Sequence, residues 1–162
     1  MNKCINGFLG VSLMLVFGVL SSRGLLFSQE KLVVADEQAK RADVVVVGKV
    51  TDMRSEWNSD KSRIYTRVTI EVDQYLKGQR SDRFVTVTML GGEIDGVGEL
   101  YSHAVRFVND EKVVVFAERD AQGGLRVSGG PQGKYRITQN EDTGIPMVSD
   151  DKPLGEFIAH VK

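Results

Sequence analysis

The sequence predicts a mainly β fold, a small Greek-key barrel of about six strands with a short helix at each end. Three observations predict it. Val44-Val45-Val46-Val47 sets four β-branched residues in a row, which favours strand over helix. From Ile64 to Asp73 the chain alternates strictly. Ile64, Thr66, Val68, Ile70 and Val72 face one way, and Tyr65, Arg67, Thr69, Glu71 and Asp73 the other, so one wall meets a core and one meets water. Further short strand-like runs follow with turn residues between them, and helical spacing is confined to the two ends.

The chain of 162 residues suits one domain with a real core. Its composition is 41% hydrophobic and 27% charged, which excludes a disordered chain. The first residues differ in kind. Lys3 carries the only early charge, and Gly7 to Leu20 is then apolar or small throughout. That run is shorter than the roughly 20 residues a spanning helix needs, and it matches the core of a secretory signal. Ser21 and Ser28 end two acceptable cleavage sequences, and Arg23 interrupts the run that a membrane anchor would need. The expected organisation is a signal peptide over 1–28 and a single domain over 29–162. Export to the periplasm or the extracellular space follows from it. Membrane contact is expected only through the signal segment, if it is not cleaved. Removing 1–28 takes away Lys3 and Arg23 and no acid, so the net charge of -1 becomes -3. A chain of that sign is not expected to bind nucleic acid. Cys4, the sole cysteine, precedes the apolar run, whereas a lipid-anchored cysteine follows it. The mature chain then has no disulfide, and its stability must come from core and sheet.

Taken in order, Glu30 to Ala42 reads as a short helix, with Leu32, Ala35, Ala39 and Ala42 at three- and four-residue spacing. The first strand runs from Val44 to about Met53, and Gly48 inside it marks a bulge or bend. Trp57 to Lys61 is a polar turn. The second strand follows, closed by Leu76 to Gln79. Val85, Val87 and Met89 form a third strand, ended by Gly91-Gly92. Glu93, Asp95 and Glu99, with Gly96 and Gly98 among them, read as a long acidic loop within 92–109. Val113 to Ala117 is the fourth strand, and Asp120 to Gly124 a hairpin turn of the kind that needs positive φ. Leu125 to Ser128 and Lys134 to Thr138 are the last two, broken by Gly129 to Gly133, with a turn at Asn140 to Gly144. In the tail, Leu154, Phe157, Ile158 and Val161 have the spacing of an amphipathic helix over 151–162. Six strands are few for a two-sheet sandwich. A long, glycine-bent first strand fits an OB-like barrel better.

Little of this chain carries recognisable chemistry. A hydrolase needs a nucleophile paired with a base, and the only histidines are His103 and His160. His160 is expected on the surface of the tail helix. His103 follows Ser102, and adjacent residues do not ordinarily aim at one another. No catalytic residue is therefore assigned. Two histidines and no cysteine cannot build a structural zinc site, and Glu93, Asp95 and Glu99 lack the twelve-residue calcium-loop pattern. No metal and no cofactor are expected. Gly129-Gly130-Pro131-Gln132-Gly133-Lys134 superficially resembles a phosphate loop, but it lacks the Gly-Lys-Ser/Thr ending and leads into a strand, so a bend between strands is expected. Trp57, the only tryptophan, either anchors a partner or caps the barrel end.

Ala42 to Val50, Ile64-Tyr65-Thr66-Arg67-Val68 and Tyr75-Leu76-Lys77-Gly78 together resemble the opening of netrin-like domains, which include the tissue inhibitors of metalloproteinases. With Gly129 to Tyr135, the same stretches resemble uncharacterised exported bacterial proteins. The resemblance spans about Ala42 to Arg136 and implies an OB-type barrel. Those inhibitors act through an N-terminal cysteine on the protease zinc, which this mature chain lacks, so no functional residue is carried over.

The reading that follows is an exported non-enzymatic binding or accessory module whose partner is an exported or surface protein, a peptide or a glycan. The partner-binding residues are not named by the sequence. The alternatives are an exported protease inhibitor acting without cysteine–zinc chelation, and a hydrolase using His103 with carboxylates of the 93–99 loop.

Overall fold

A computed structural model describes residues 35–78, 81–149 and 152–161. The expected signal peptide, the residues of the first helix before Ala35, and Gln79 lie outside them. The fold is mainly β. Residues 35–41 are helical (α1). Ten strands follow: β1 (Val44–Trp57), β2 (Ile64–Lys77), β3 (Phe84–Leu90), β4 (Gly92–Ile94), β5 (Val97–Glu99), β6 (Lys112–Arg119), β7 (Leu125–Val127), β8 (Lys134–Gln139), β9 (Pro146–Val148) and β10 (Lys152–Pro153). Helix α2 (Leu154–Val161) closes the chain. One antiparallel sheet runs in the order β10-β9-β8-β6-β1-β2-β3, with β7 also on β6, and β4 with β5 forms a separate hairpin.

All six expected strands are present, several of them longer than the pattern suggested. Each inward residue of β2 from Ile64 to Ile70 is buried, and Arg67 between them is exposed. The four valines of β1 are buried on both faces. Val44 and Val46 join Val68, Ile70, Val85, Val87, Val113 and Val115 in one core, while Val45 and Val47 join Val114, Phe116, Tyr135 and Phe157 in another. An uninterrupted apolar run is what a strand covered on both sides requires. The second core is where the helices dock. Ala35 of α1 and Ala42 just after it, and Leu154, Phe157, Ile158 and Val161 of α2, all pack there as their spacing predicts. The rings of Phe116, Tyr135 and Phe157 meet edge-on or tilted at centroid distances of 5.0–6.4 Å.

The β1–β2 register shifts at three places, one of them between Val47 and Gly48. A Cβ on Gly48 would lie 2.2 Å from the Glu71 carbonyl oxygen, so only glycine lets the two backbones approach at this bulge. Bulges bend and twist a sheet, and here the sheet curls until β3 comes alongside β7.

The sheet does not close, however, and the expectation of a closed barrel is corrected: no ladder joins β3 to β7. The physical reason lies in two local features. β7 has only three residues before Gly129 turns the chain with φ 65°, so it cannot zip along the seven residues of β3. In addition, Val105 and Phe107 of the connecting segment insert into the first core and supply the burial that a closing ladder would give. The strand count is corrected too, because β4, β5, β9 and β10 are short pairings outside the six. Pro153 lies in β10, and α2 begins only at Leu154.

Candidate functional site

Two regions border the open seam, and local chemistry fixes each of them. The stretch expected to be an acidic loop is instead the β4–β5 hairpin. Asp95 (φ 51°) and Gly96 (φ 80°) both take positive φ between Ile94 and Val97, the backbone of a two-residue primed turn. The base of the hairpin is tied to the long strands. Thr66 Oγ1 donates to the Gly91 carbonyl at 2.7 Å and lies 3.0 Å from Ser55 Oγ, which accepts from the Glu93 amide at 3.4 Å. Gly92 fits over this pair because a Cβ there would meet both oxygens at 2.4 Å. Glu99 turns back to accept from the Ile64 amide at 3.2 Å and from the Tyr101 hydroxyl at 3.1 Å. Arg63 donates to the same hydroxyl at 2.6 Å. That hydrogen bond, then the charges of Tyr101 and Glu99, raise the Arg63 guanidinium further above its ordinary value.

The second region is the segment 100–111, held down by a buried ion pair. Lys134 Nζ lies 2.5 Å from Glu111 Oε1, with the two side chains only 11% and 6% exposed. The ammonium also donates to the Arg106 carbonyl at 2.5 Å and sits 4.9 Å from the Phe107 ring centre. Glu111 Oε1 accepts from the Val108 amide at 2.8 Å. Oε2 has the Arg136 guanidinium at 3.4 Å and no hydrogen bond among the described residues. Lys134, which ends the run resembling a phosphate loop, is thereby committed to the segment 105–111. Gly130–Gly133 is a single 3₁₀ turn leading into β8, a bend between strands as the sequence suggested.

Between these regions lie two neighbouring clefts of about 460 and 470 Å³. Met89, Leu90, Tyr101, Ala104 and Val105 line both. The first cleft adds Met53, Glu93, Glu99, Leu100 and Arg106, and the second adds Tyr65, Thr88, His103, Asp120, Arg126 and Val127. Their walls are mainly apolar, and Leu90 and Leu100 stay exposed in them, Leu100 to 78%.

Charges around the clefts are mostly paired. Arg67 binds Glu56, Arg126 binds Glu118 at 3.0 Å, and Asp120 accepts from the amides of Gln122 and Gly124 in its own turn. Among the described residues, Arg106 and Glu93 have no side-chain ion-pair partner.

One sequence expectation about chemistry is overturned. Ser102 and His103 do face each other, with Ser102 Oγ 2.9 Å from His103 Nδ1 at the exposed rim of the second cleft. Among the described residues, no carboxylate is bonded to His103, so the ring has no orienting acid of the kind that defines a triad. His160 lies on the surface, as expected, and its Nε2 pairs with Asp36 at 3.2 Å, joining α2 to α1. Trp57 is half-buried at the end of β1 opposite Ile64. No family model matches this chain, and no curated protein is significantly similar to it. Among the described residues, no group of three metal-ligating side chains is assembled, and no helix is long and apolar enough to cross a membrane.

Of the cleft residues the sequence named Glu93, Glu99 and His103, through the hydrolase alternative, and left the apolar lining unnamed. A signal was present in Asp95-Gly96 between two apolar residues, a strong short-range mark of a hairpin. Another was the alternation of Val105 and Phe107, which announces a segment with one face in the core.

Proposed function

We propose that the chain is an exported, non-enzymatic binding module whose recognition surface is the pair of clefts along the open seam. One observation carries the reading: two apolar clefts adjoin, and exposed Leu90 and Leu100 line them. Grouped exposed apolar side chains beside a preformed cleft mark interaction sites more often than single ones do. Export is supported by Lys3 and the uncharged run from Gly7 to Leu20. The apolar walls favour a protein or peptide partner over a glycan, which would call for a row of aromatics.

The test is site-specific photocrosslinking in the native envelope and secreted fractions. A benzoylphenylalanine at Leu100 should give a discrete adduct, and one at Ile145, which is exposed far from the clefts in sequence, should not. Equal adducts at both positions, or none at Leu100, would remove the clefts as the recognition surface.

A further inference from the structure

We infer that the first cleft holds a short apolar peptide with both ends free, its ammonium at Glu93 and its carboxylate at Arg106. The inference rests on the binding-module reading and names the ligand class. A glycine that the fold does not need is the first ground. Gly91, Gly92 and Gly96 all have positive φ, which accounts for them, but Gly98 does not. A Cβ added to Gly98 would meet only the Gly92 carbonyl oxygen, at 3.9 Å, an ordinary contact. Inside a strand, glycine marks a bulge, a tight bend, or the close approach of another backbone or a ligand. The β4–β5 register is unbroken at Gly98 and no backbone crowds it, which leaves the ligand. Gly98 lies directly opposite Glu93, so the two share one face of the hairpin, and both line the first cleft. The missing side chain leaves the wall beside Glu93 open.

Charge is the second ground. Glu99, the other acid of this cleft, is committed to the Ile64 amide and the Tyr101 hydroxyl. Glu93 and Arg106 line the same cleft and form no ion pair, with each other or with any other described residue. Both are anchored through their main chains. The Glu93 amide donates to Ser55 Oγ at 3.4 Å, and the Arg106 carbonyl accepts from the buried Lys134 ammonium at 2.5 Å. Val105 and Phe107 are buried on either side of Arg106, so its own side chain is sent out to the rim. One unpaired anion and one unpaired cation in a single cleft complement a dipolar ligand. A ligand of one sign would set its charge against one of them.

The lining narrows the ligand further. Met53, Met89, Leu90, Ala104 and Val105 give the cleft an apolar surface, and its volume of about 460 Å³ is that of a small-ligand site, within roughly 300–1,000 Å³. Methionine adapts to apolar groups of different shape. The two hydroxyls of the cleft, Ser55 and Thr66, already bond to each other and to the Gly91 carbonyl, so they do not call for a polar side chain. The ligand that fits carries apolar side chains between an ammonium and a carboxylate, which describes a free di- or tripeptide. One end of a larger protein would supply only one of the two charges.

The test is isothermal titration of the full-length exported protein with Leu-Leu and Leu-Leu-Leu, each also in N-acetylated and C-amidated form. A free peptide should bind, and either block should weaken binding tenfold or more. Glu93→Gln should abolish the effect of acetylation and keep that of amidation, and Arg106→Gln should do the reverse. Gly98→Leu places a side chain in the cleft without backbone strain, so it should melt no lower than the parent and bind no peptide. Glu93 and Arg106 are exposed, so their variants decide the matter whatever Gly98→Leu does to folding. Effects of the blocks that do not follow Glu93 and Arg106, or full affinity in a folded Gly98→Leu, would overturn the site. An acetylated peptide that binds as well as the free one, with amidation still harmful, would make the carboxyl end of a larger protein the occupant and overturn the free-peptide inference. If neither free peptide binds at millimolar concentration while Leu100 still crosslinks to a protein, the ligand class is wrong and the cleft module stands.

Discussion

The two halves of the sheet solve the same problem in opposite ways. Around β6 and the first half of β1, the strands are covered on both faces, by helices on one side and by the curled sheet on the other. Around β3 and the 100–111 segment, one edge is left without a ladder, and burial comes from two inserted side chains, Val105 and Phe107, and a buried ion pair. The first arrangement buries polar side chains only when they are hydrogen-bonded, as Gln38 is by Ser128, and offers no apolar surface. The second keeps apolar side chains such as Leu90 and Leu100 accessible, which is what recognition needs. Stability and accessibility are thus segregated within one small sheet.

The largest expected effect lies in the closed half. Val68 is fully buried in the first core, and Val68→Asp would place a carboxylate there without a partner. That costs several kcal/mol, comparable with the roughly 5–15 kcal/mol that holds a domain together, so the variant should be largely unfolded by circular dichroism. Arg67→Asp, one residue away and facing out, loses only its exposed pair with Glu56 and should cost no more than about 1 kcal/mol. Equal melting temperatures for the two would show that the two faces of β2 do not differ.

Next comes the ion pair of the open half. Glu111→Ala leaves the Lys134 ammonium buried without its acid, at a cost of about 3–5 kcal/mol in chemical denaturation. Replacing both partners, as Glu111→Leu with Lys134→Met, should recover most of that loss. If the single variant melts like the parent, the pair does not hold the segment 105–111.

Glycines compare the halves directly. Gly48→Ala drives a Cβ into the Glu71 carbonyl between two paired strands, for about 3 kcal/mol. At Gly96 the hairpin tip has open space, and alanine there meets only the strain of φ +80°, roughly 1–2 kcal/mol. Urea midpoints should fall in that order, and the reverse order would place the tighter backbone contact at the seam.

These contrasts also explain what could be read from the chain. Val44 to Val47, the alternation of β2 and the helical spacing of Leu154 to Val161 are local patterns, and each maps directly onto a buried face. Gln38 could have been noticed, since it shares a helical face with Ala35 and Ala42. It is buried because Ser128, ninety residues on, donates to its side chain at 3.1 Å. The ion pair of Glu111 with Lys134, the turn of Glu99 towards Ile64 and the missing ladder between β3 and β7 are not patterns in any window of sequence. They depend on how far the sheet curls, which bulges and a single glycine decide. The site is built almost entirely from such distant pairings, so its apolar lining stayed invisible while the fold class and the residues Glu93, Glu99 and His103 did not.

The smallest expected effect comes from the two histidines, and it separates a structural role from a functional one. His160 joins α2 to Asp36 through an exposed pair, with both side chains about two-fifths accessible. An exposed pair of this kind contributes at most about 1 kcal/mol, so His160→Gln should lower the melting temperature by no more than about 4 °C. His103 bonds only its neighbour Ser102 among the described residues, at the exposed rim of the second cleft, and His103→Gln should leave melting unchanged. The double variant should therefore melt like His160→Gln alone, because the two sites share no partner and their effects add. Crosslinking from Leu100 should also be unchanged in it, since a binding cleft without catalysis has no use for an imidazole base. A double variant that melts as expected but loses the Leu100 adduct, or an esterase screen in which the parent turns over substrate and His103→Gln does not, would make the Ser102–His103 pair the working chemistry of the seam and end the non-enzymatic reading.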